Sequence, residues 1–229
     1  MRGILLKNGI RMSLLGYGVL QMKEHEKCRQ CVREAAAAGY RMFDTAASYG
    51  NEEAVGQALR EAVEAGEVKR EELFLITKLS IEDTEEAKAY RAFEESLEKL
   101  QTEYLDLYLI GQPYNDYYGA WRALEKLYNE GRIRAIGVSN FSPERLTDLC
   151  LNSRIPPMVD QIETHPFYHQ REALRTMGEL GVQPQAWAPL CEGLKNIFSN
   201  KTLGRIGRKY GKTAAQTALR WNIDRQDLY

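Results

Sequence analysis

The sequence predicts an α/β fold of the (β/α)8, TIM-barrel type, and three observations lead there. Short apolar runs alternate with longer stretches of helical period along the whole chain. Several of the short runs lack polar alternation, as parallel strands buried on both faces do. Seven such βα units in succession fit either an open, doubly wound sheet or a barrel, and the fingerprint of the open sheet is incomplete. LGYGVLQM supplies Gly16 and Gly18 but no third glycine.

The elements follow in order. ILLKNGIRMSLL reads as two short strands around Asn8-Gly9, a pair that favours a two-residue type I′ turn. A hairpin ahead of the first barrel strand would act as a plug in the barrel floor. Strands are expected at 14–18, 41–45, 73–78, 104–110, 133–139, 158–163 and 182–187. Helices are expected between them at 24–38, 51–65, 84–101, 117–130, 143–152 and 169–180, with two further pieces near 201–224. Tyr90, Phe93, Leu97 and Leu100 make one apolar stripe, and Ser142 followed by Pro143 is an N-cap with proline at the first helical position. No linker or low-complexity stretch interrupts the series, so residues 1–229 read as a single domain.

Composition excludes several function classes. With 44% hydrophobic and 28% charged residues the chain can bury one sizeable core. A net charge of -1 gives no overall basic footprint for nucleic acid and no polybasic membrane patch, although a local patch can hide inside a balanced total. Lys7 and Arg11 interrupt the N-terminal apolar runs, and no stretch approaches the roughly 18 apolar residues of a membrane span. The expectation is a soluble cytoplasmic protein with no nucleic-acid or membrane partner. Cys28, Cys31, Cys150 and Cys191 are too few for a disulfide scaffold. Cys28, Cys31, Val32 and Ala35 follow helical spacing, so the C-x-x-C thiols face a core, and no second pair completes a zinc set. No metal is expected.

Polar residues fall where barrel chemistry gathers, at the C-terminal ends of strands. Asp44 and Tyr49 follow the second strand, Lys78 ends the third, Ser139 and Asn140 end the fifth, Gln161 lies in the sixth and Trp187 ends the seventh. A phenol is a reluctant proton donor at neutral pH; an ammonium beside it stabilises the phenolate left behind, and a carboxylate keeps that ammonium charged and oriented. Singly, Asp44 can cap a turn and Lys78 can snorkel from a strand end. Together they make a unit, because a lysine closing the apolar run LFLIT calls for a nearby carboxylate.

FDTAASYGNEEAVGQAL, LFLITKL, YLDLYLI with its following QP, GRIRAIGVSNFSPERL, QIETHPF and AWAPL resemble, in this order and spacing, the aldo-keto reductases. The likeness spans residues 3 to about 225 and is strongest to bacterial members of the 2,5-diketo-gluconate reductase kind, which act on small aldehydes and ketones. It implies a (β/α)8 barrel that transfers a hydride between NADPH and a small carbonyl substrate. It makes Tyr49 the general acid, tuned by Lys78 and Asp44, and gives the nicotinamide carboxamide to Ser139, Asn140 and Gln161. Trp187 stands where the family usually stacks a tyrosine on the nicotinamide. Pro189 and Leu190 would follow the pyrophosphate, Gly18 and Val19 would border the nicotinamide end, and Leu20, Tyr117 and Tyr118 would line the substrate pocket. His165 reads as structural.

Two departures stand out. The fourth catalytic position, a histidine in the family's L-I-H-Q-P, is Gly111. Glycine removes a donor, is expected to leave a hole of side-chain size that a water can enter, and lowers turnover by roughly 10² to 10³. Gln112 points to the opposite face of its strand and cannot replace the imidazole, so restoring histidine is expected to raise the rate. Secondly, the family continues past ALRWNIDR into an eighth strand and helix that grip the 2′-phosphate of NADPH, where this sequence ends QDLY. The resemblance therefore implies an incomplete barrel lacking the eighth strand and helix. It also implies a weakened NADPH preference that lets NADH serve, and open edges covered by a homodimer partner, a swapped segment or a collapse of the rim. Two activities compete: a weak reductase, and a non-catalytic or regulatory binding protein of the same build. A Schiff-base role for Lys78 ranks last, since Asp44 keeps it protonated.

Overall fold

The computed structural model describes residues 3–226. A two-stranded antiparallel hairpin, β1 (Gly3–Leu5) and β2 (Arg11–Ser13), precedes seven parallel strands: β3 (Tyr17–Gly18), β4 (Met42–Asp44), β5 (Phe74–Leu79), β6 (Leu107–Ile110), β7 (Ile136–Ser139), β8 (Val159–Glu163) and β9 (Gln183–Trp187). Between successive strands lie α1 (His25–Ala37), α2 (Glu52–Glu64), α3 (Glu86–Leu100), α4 (Tyr117–Asn129), α5 (Pro143–Asn152) and α6 (Arg171–Leu180). Then come α7 (Lys201–Arg208) and α8 (Ala214–Gln226). The seven strands stand side by side in chain order and curl as a half-barrel. The expected α/β class is present as a seven-stranded curled parallel sheet, with β3 and β9 at its two edges among the described residues. The closing residues 227–229 lie outside the described residues.

Every expected helix is present within a few residues. The strands are clearly shorter than expected in three places, with 133–139 reduced to Ile136–Ser139. Of 14–18 only Tyr17 and Gly18 pair with β4. Of 104–110 the first part makes a single bridge, Leu105 to Ile133. The reason lies in Asp106, whose side chain accepts the Leu75 N–H at 3.0 Å and takes the place of a ladder carbonyl.

The hairpin turn also differs. Gly9 has φ +83 while Asn8 stays outside the left-handed region, which a type I′ turn would need at both residues. Gly9 N–H reaches the Leu6 carbonyl at 2.8 Å and Leu6 N–H reaches Ile10 at 2.9 Å, so the turn is type I closed by a glycine bulge. Asn8 is thereby free to hold other backbone: its amide donates to the Arg134 carbonyl (2.9 Å) and Lys7 donates to the Pro157 carbonyl (2.6 Å). The hairpin is tied to the segments entering β7 and β8.

At the same end, Asp106 is fully buried and accepts from Arg70 at 2.9 Å and Arg134 at 2.7 Å besides Leu75. Its removal leaves two guanidinium groups without their carboxylate. Asp106→Ala is expected to lower unfolding free energy by about 3–5 kcal/mol in a urea titration.

Asp160 in β8 is the opposite case. It is fully buried, and neither carboxylate oxygen has a hydrogen-bond partner among the described residues. Burial pushes its pKa well above the ordinary aspartate range, with the nearby Phe141 N–H pulling less in the other direction. The folded protein thus keeps Asp160 protonated at pH values where the unfolded chain, titrating near pH ~3.9, has released the proton. Stability falls as pH rises above that value. Asp160→Asn is expected to raise Tm at neutral pH and to leave it nearly unchanged near pH ~4, by calorimetry at both.

Candidate active site

The C-terminal ends of β4 and β5 bring Asp44, Tyr49 and Lys78 together. Lys78 is 5% exposed, and its ammonium donates to Asp44 Oδ1, to the Thr45 carbonyl at 2.9 Å and to the Tyr49 hydroxyl at 3.4 Å. Burial pulls the Lys78 pKa down, and Asp44 together with Tyr49 more than offsets this, so the group sits above the ordinary lysine value and stays charged. The second oxygen of Asp44 accepts from Gln161 Nε2 at 2.6 Å. Tyr49 closes a short 3-10 turn, Ala47–Tyr49, ended by Gly50 at φ +68. This order of groups supplies a hydroxyl whose proton, once given up, leaves a negative oxygen beside a fixed positive charge.

Behind it stands a buried polar layer that sequence reasoning missed. Asn51 precedes α2, yet its side chain does not cap the helix. It accepts from Thr45 at 2.7 Å and donates to the carbonyls of Val19 and Met22 at 3.0 and 3.1 Å. Glu52, 2% exposed, accepts from Thr77 at 2.7 Å. The only sequence signal was NEE at a helix start, which reads equally well as capping.

Across the sheet, parallel register aligns Ser139 with Gln161 and Gln161 with Gln185. Asn140 adopts φ +63 immediately after β7, and its amide donates to Ser139 Oγ (3.1 Å) and the Gly111 carbonyl (3.2 Å). Trp187 Nε1 donates to Asn140 Oδ1 at 2.8 Å, while Ser139 Oγ donates to the Gln161 carbonyl at 2.9 Å. Gln185 is a second missed residue: it is 8% exposed and its Oε1 has no partner among the described residues. An acceptor left open in this row suits an amide-bearing ligand such as a carboxamide, and a Cβ on Gly18 would have no atom within 4 Å, so that strand end offers room.

The remaining candidates line the approach. Val19 is buried, its N–H bonded to the Asp44 carbonyl at 3.1 Å, whereas Leu20 is exposed. Tyr117 stacks on Tyr118 (5.0 Å) and edge-on to Phe141 (5.3 Å), next to Asn140 in the chain. Burial and its bond to Asp148 push Tyr118 up to about 12, so its hydroxyl is committed to that carboxylate. Pro189 and Leu190 lie in the loop leaving β9, and Leu190 packs on a small separate core. His165 is 1% exposed: Nδ1 accepts from Phe167 N–H at 3.2 Å, which leaves Nε2 to donate to Glu163 at 3.1 Å. No cluster of three His, Cys, Asp or Glu suited to a metal occurs among the described residues.

The aldo/keto reductase family matches residues 14–228. Glyoxal reductase of Bacillus subtilis is 44% identical over 219 residues, covering 95% of this chain and 77% of its own. Methylglyoxal reductase DkgA of Escherichia coli K12 is 40% identical over 224 residues, covering 96% and 79%. The crystal structure of a Bombyx mori aldo-keto reductase in complex with NADP superposes with a TM-score of 0.93 at 34% identity, covering 98% of this chain and 80% of the other.

Position 111 needs correction. The expected hole of side-chain size is not open at its root: a Cβ on Gly111 would lie 2.8 Å from the Leu79 carbonyl oxygen, which already accepts the Gly111 N–H at 3.1 Å. A side chain here must displace strand backbone, so restoring histidine carries a packing penalty. Gly111→Ala is expected to lower unfolding free energy by about 1–3 kcal/mol. Gly18→Ala, whose Cβ enters open space, is expected to stay within about 0.5 kcal/mol of the parent in the same urea titration.

Proposed function

The chain belongs to the aldo/keto reductase family, and on that premise we propose that it reduces small aldehydes and ketones to alcohols with NADPH. The observation that carries this reading is the pairing of buried Lys78 with the partly buried Asp44, the Tyr49 hydroxyl lying 3.4 Å from the ammonium. The bound nicotinamide would supply a hydride to the carbonyl carbon. Tyr49 gives its proton to the carbonyl oxygen as that oxygen gains charge, and Lys78 stabilises the phenolate until water returns the proton. Asp44 keeps Lys78 charged. Ser139, Asn140, Gln161 and the open acceptor of Gln185 would hold the carboxamide, with Trp187 against the ring and Gly18 and Val19 at its edge. Pro189 and Leu190 would run beside the pyrophosphate.

Gly111 offers no donor to the substrate carbonyl, so the site favours carbonyls that need little polarisation. A 2-oxoaldehyde fits, because its second carbonyl withdraws electrons from the first. The names of the glyoxal and methylglyoxal reductases among its relatives support this class. Absence of a donor at 111 also favours the competing reading, a protein that binds the cofactor without turnover.

Tyr49→Phe is expected to lower kcat for methylglyoxal by about 10² to 10⁴ while NADPH affinity holds. Stopped-flow and fluorescence titration measure the two separately. Equal turnover in parent and variant would remove Tyr49 from the chemistry; NADPH binding by the parent with no turnover of any short carbonyl would leave the binding-protein reading.

A further inference from the structure

Between Glu192 and Asp224 stand seven of the chain's 31 Lys and Arg and none of its 32 Asp and Glu. Arg220 pairs with Asp224. The other six, Lys195, Lys201, Arg205, Arg208, Lys209 and Lys212, are exposed, and none has an ion-pair partner among the described residues. Elsewhere the surface arginines Arg29, Arg60, Arg122 and Arg132 each meet a glutamate at 2.6 to 2.9 Å. In α7, Lys201, Arg205 and Arg208 recur at i, i+4 and i+7, opposite the buried Leu203 and Gly207. Like charges at that spacing weaken an isolated helix. The arrangement gains from an anionic partner and gains nothing in water.

Apolar side chains stand among these cations. Leu194 is 62% exposed, Phe198 58%, Ile206 40% and Tyr210 74%. They ride on a small core of their own, Cys191, Ile197, Leu203, Ala214 and Ala218, apart from the main one. Asn200 caps α7 by accepting from Thr202 and Leu203 at 3.0 Å, so the loop carrying Phe198 is joined firmly to the helix carrying the cations.

We propose that this face, formed by residues 194–199, α7 and the turn at 209–212, docks on the anionic headgroups of a lipid bilayer. The six cations meet phosphates while Phe198 and its apolar neighbours enter the boundary between headgroups and acyl chains. A nucleic acid would engage the cations and the two rings but would offer Leu194 and Ile206 no apolar phase. An acidic protein surface leaves the apolar side chains no better placed. Binding of this kind is peripheral; no helix among the described residues is long and apolar enough to cross a membrane. The expectation of no membrane partner rested on the absence of a long apolar stretch and on the net charge, and the net charge averages this stretch against an acidic remainder. The surface is independent of the reductase reading.

The test is co-sedimentation of the whole chain with vesicles of phosphatidylcholine, alone or mixed with phosphatidylglycerol. Binding is expected on the mixed vesicles only, and to fall as salt is raised. Combining R205E, R208E and K209E should weaken partition about a hundredfold or more, since each cation near an anionic leaflet contributes about fivefold. Phe198→Ser should weaken it about fivefold. Both variants should keep the parental thermal melt, because all four residues are exposed. Absence of binding to the mixed vesicles, equal binding by the charge-reversed variant, or retention on polyuridylate or polyglutamate with none on vesicles would overturn the proposal.

Discussion

An ammonium group buried in protein must have its counter-charge within reach, and much of this molecule follows from meeting that demand at Lys78. An unpaired charge there would cost several kcal/mol. The demand fixes Asp44 at the end of the neighbouring strand, and the second oxygen of Asp44 in turn fixes Gln161 from the far side of the curled sheet. Strands β4, β5 and β8 are therefore held in one register by three side chains at their ends. Tyr49 inherits its position from the same pair, and the buried layer of Thr45, Asn51, Glu52 and Thr77 keeps the underlying loops from relaxing.

The parts of this arrangement that the sequence reveals are those governed by periodicity and by charge in the wrong place. Apolar runs and helical stripes locate nearly every element because burial on one or two faces leaves a repeating mark. Lys78 is conspicuous because it closes LFLIT, and its need points to Asp44. Other features leave no such mark. Asn51 and Gln185 are polar residues in ordinary polar company, and their importance arises only when strands far apart in the chain become neighbours. Asn8-Gly9 carries the composition of one turn and adopts another, since Asn8 gains more by bonding the backbone at Arg134 than by taking a left-handed conformation. The crowding at Gly111 comes from a carbonyl on an adjacent strand, which pattern reading along one strand does not register.

The two ends of the sheet are built on different principles. At the entering end, Asp106 gathers Arg70, Arg134 and the Leu75 N–H around one satisfied carboxylate. At the exit end, half of the non-glycine left-handed residues among those described fall in one stretch after β9: Ala188, Cys191, Glu192, Lys195 and Asn196. Each such residue is less stable than in ordinary backbone. Left-handed backbone thus gathers in the loop that carries Pro189 and Leu190, where the proposed cofactor would lie.

Asn140 joins three parts of that exit end through one amide: the Gly111 carbonyl, the Ser139 hydroxyl and the Trp187 indole. Its partners lie 29 and 47 positions away in the chain, yet they share a single side chain. A change of ring at 187 orphans the oxygen of Asn140, and a change at 140 releases both distant partners, so the effects of substitutions at these sites do not sum.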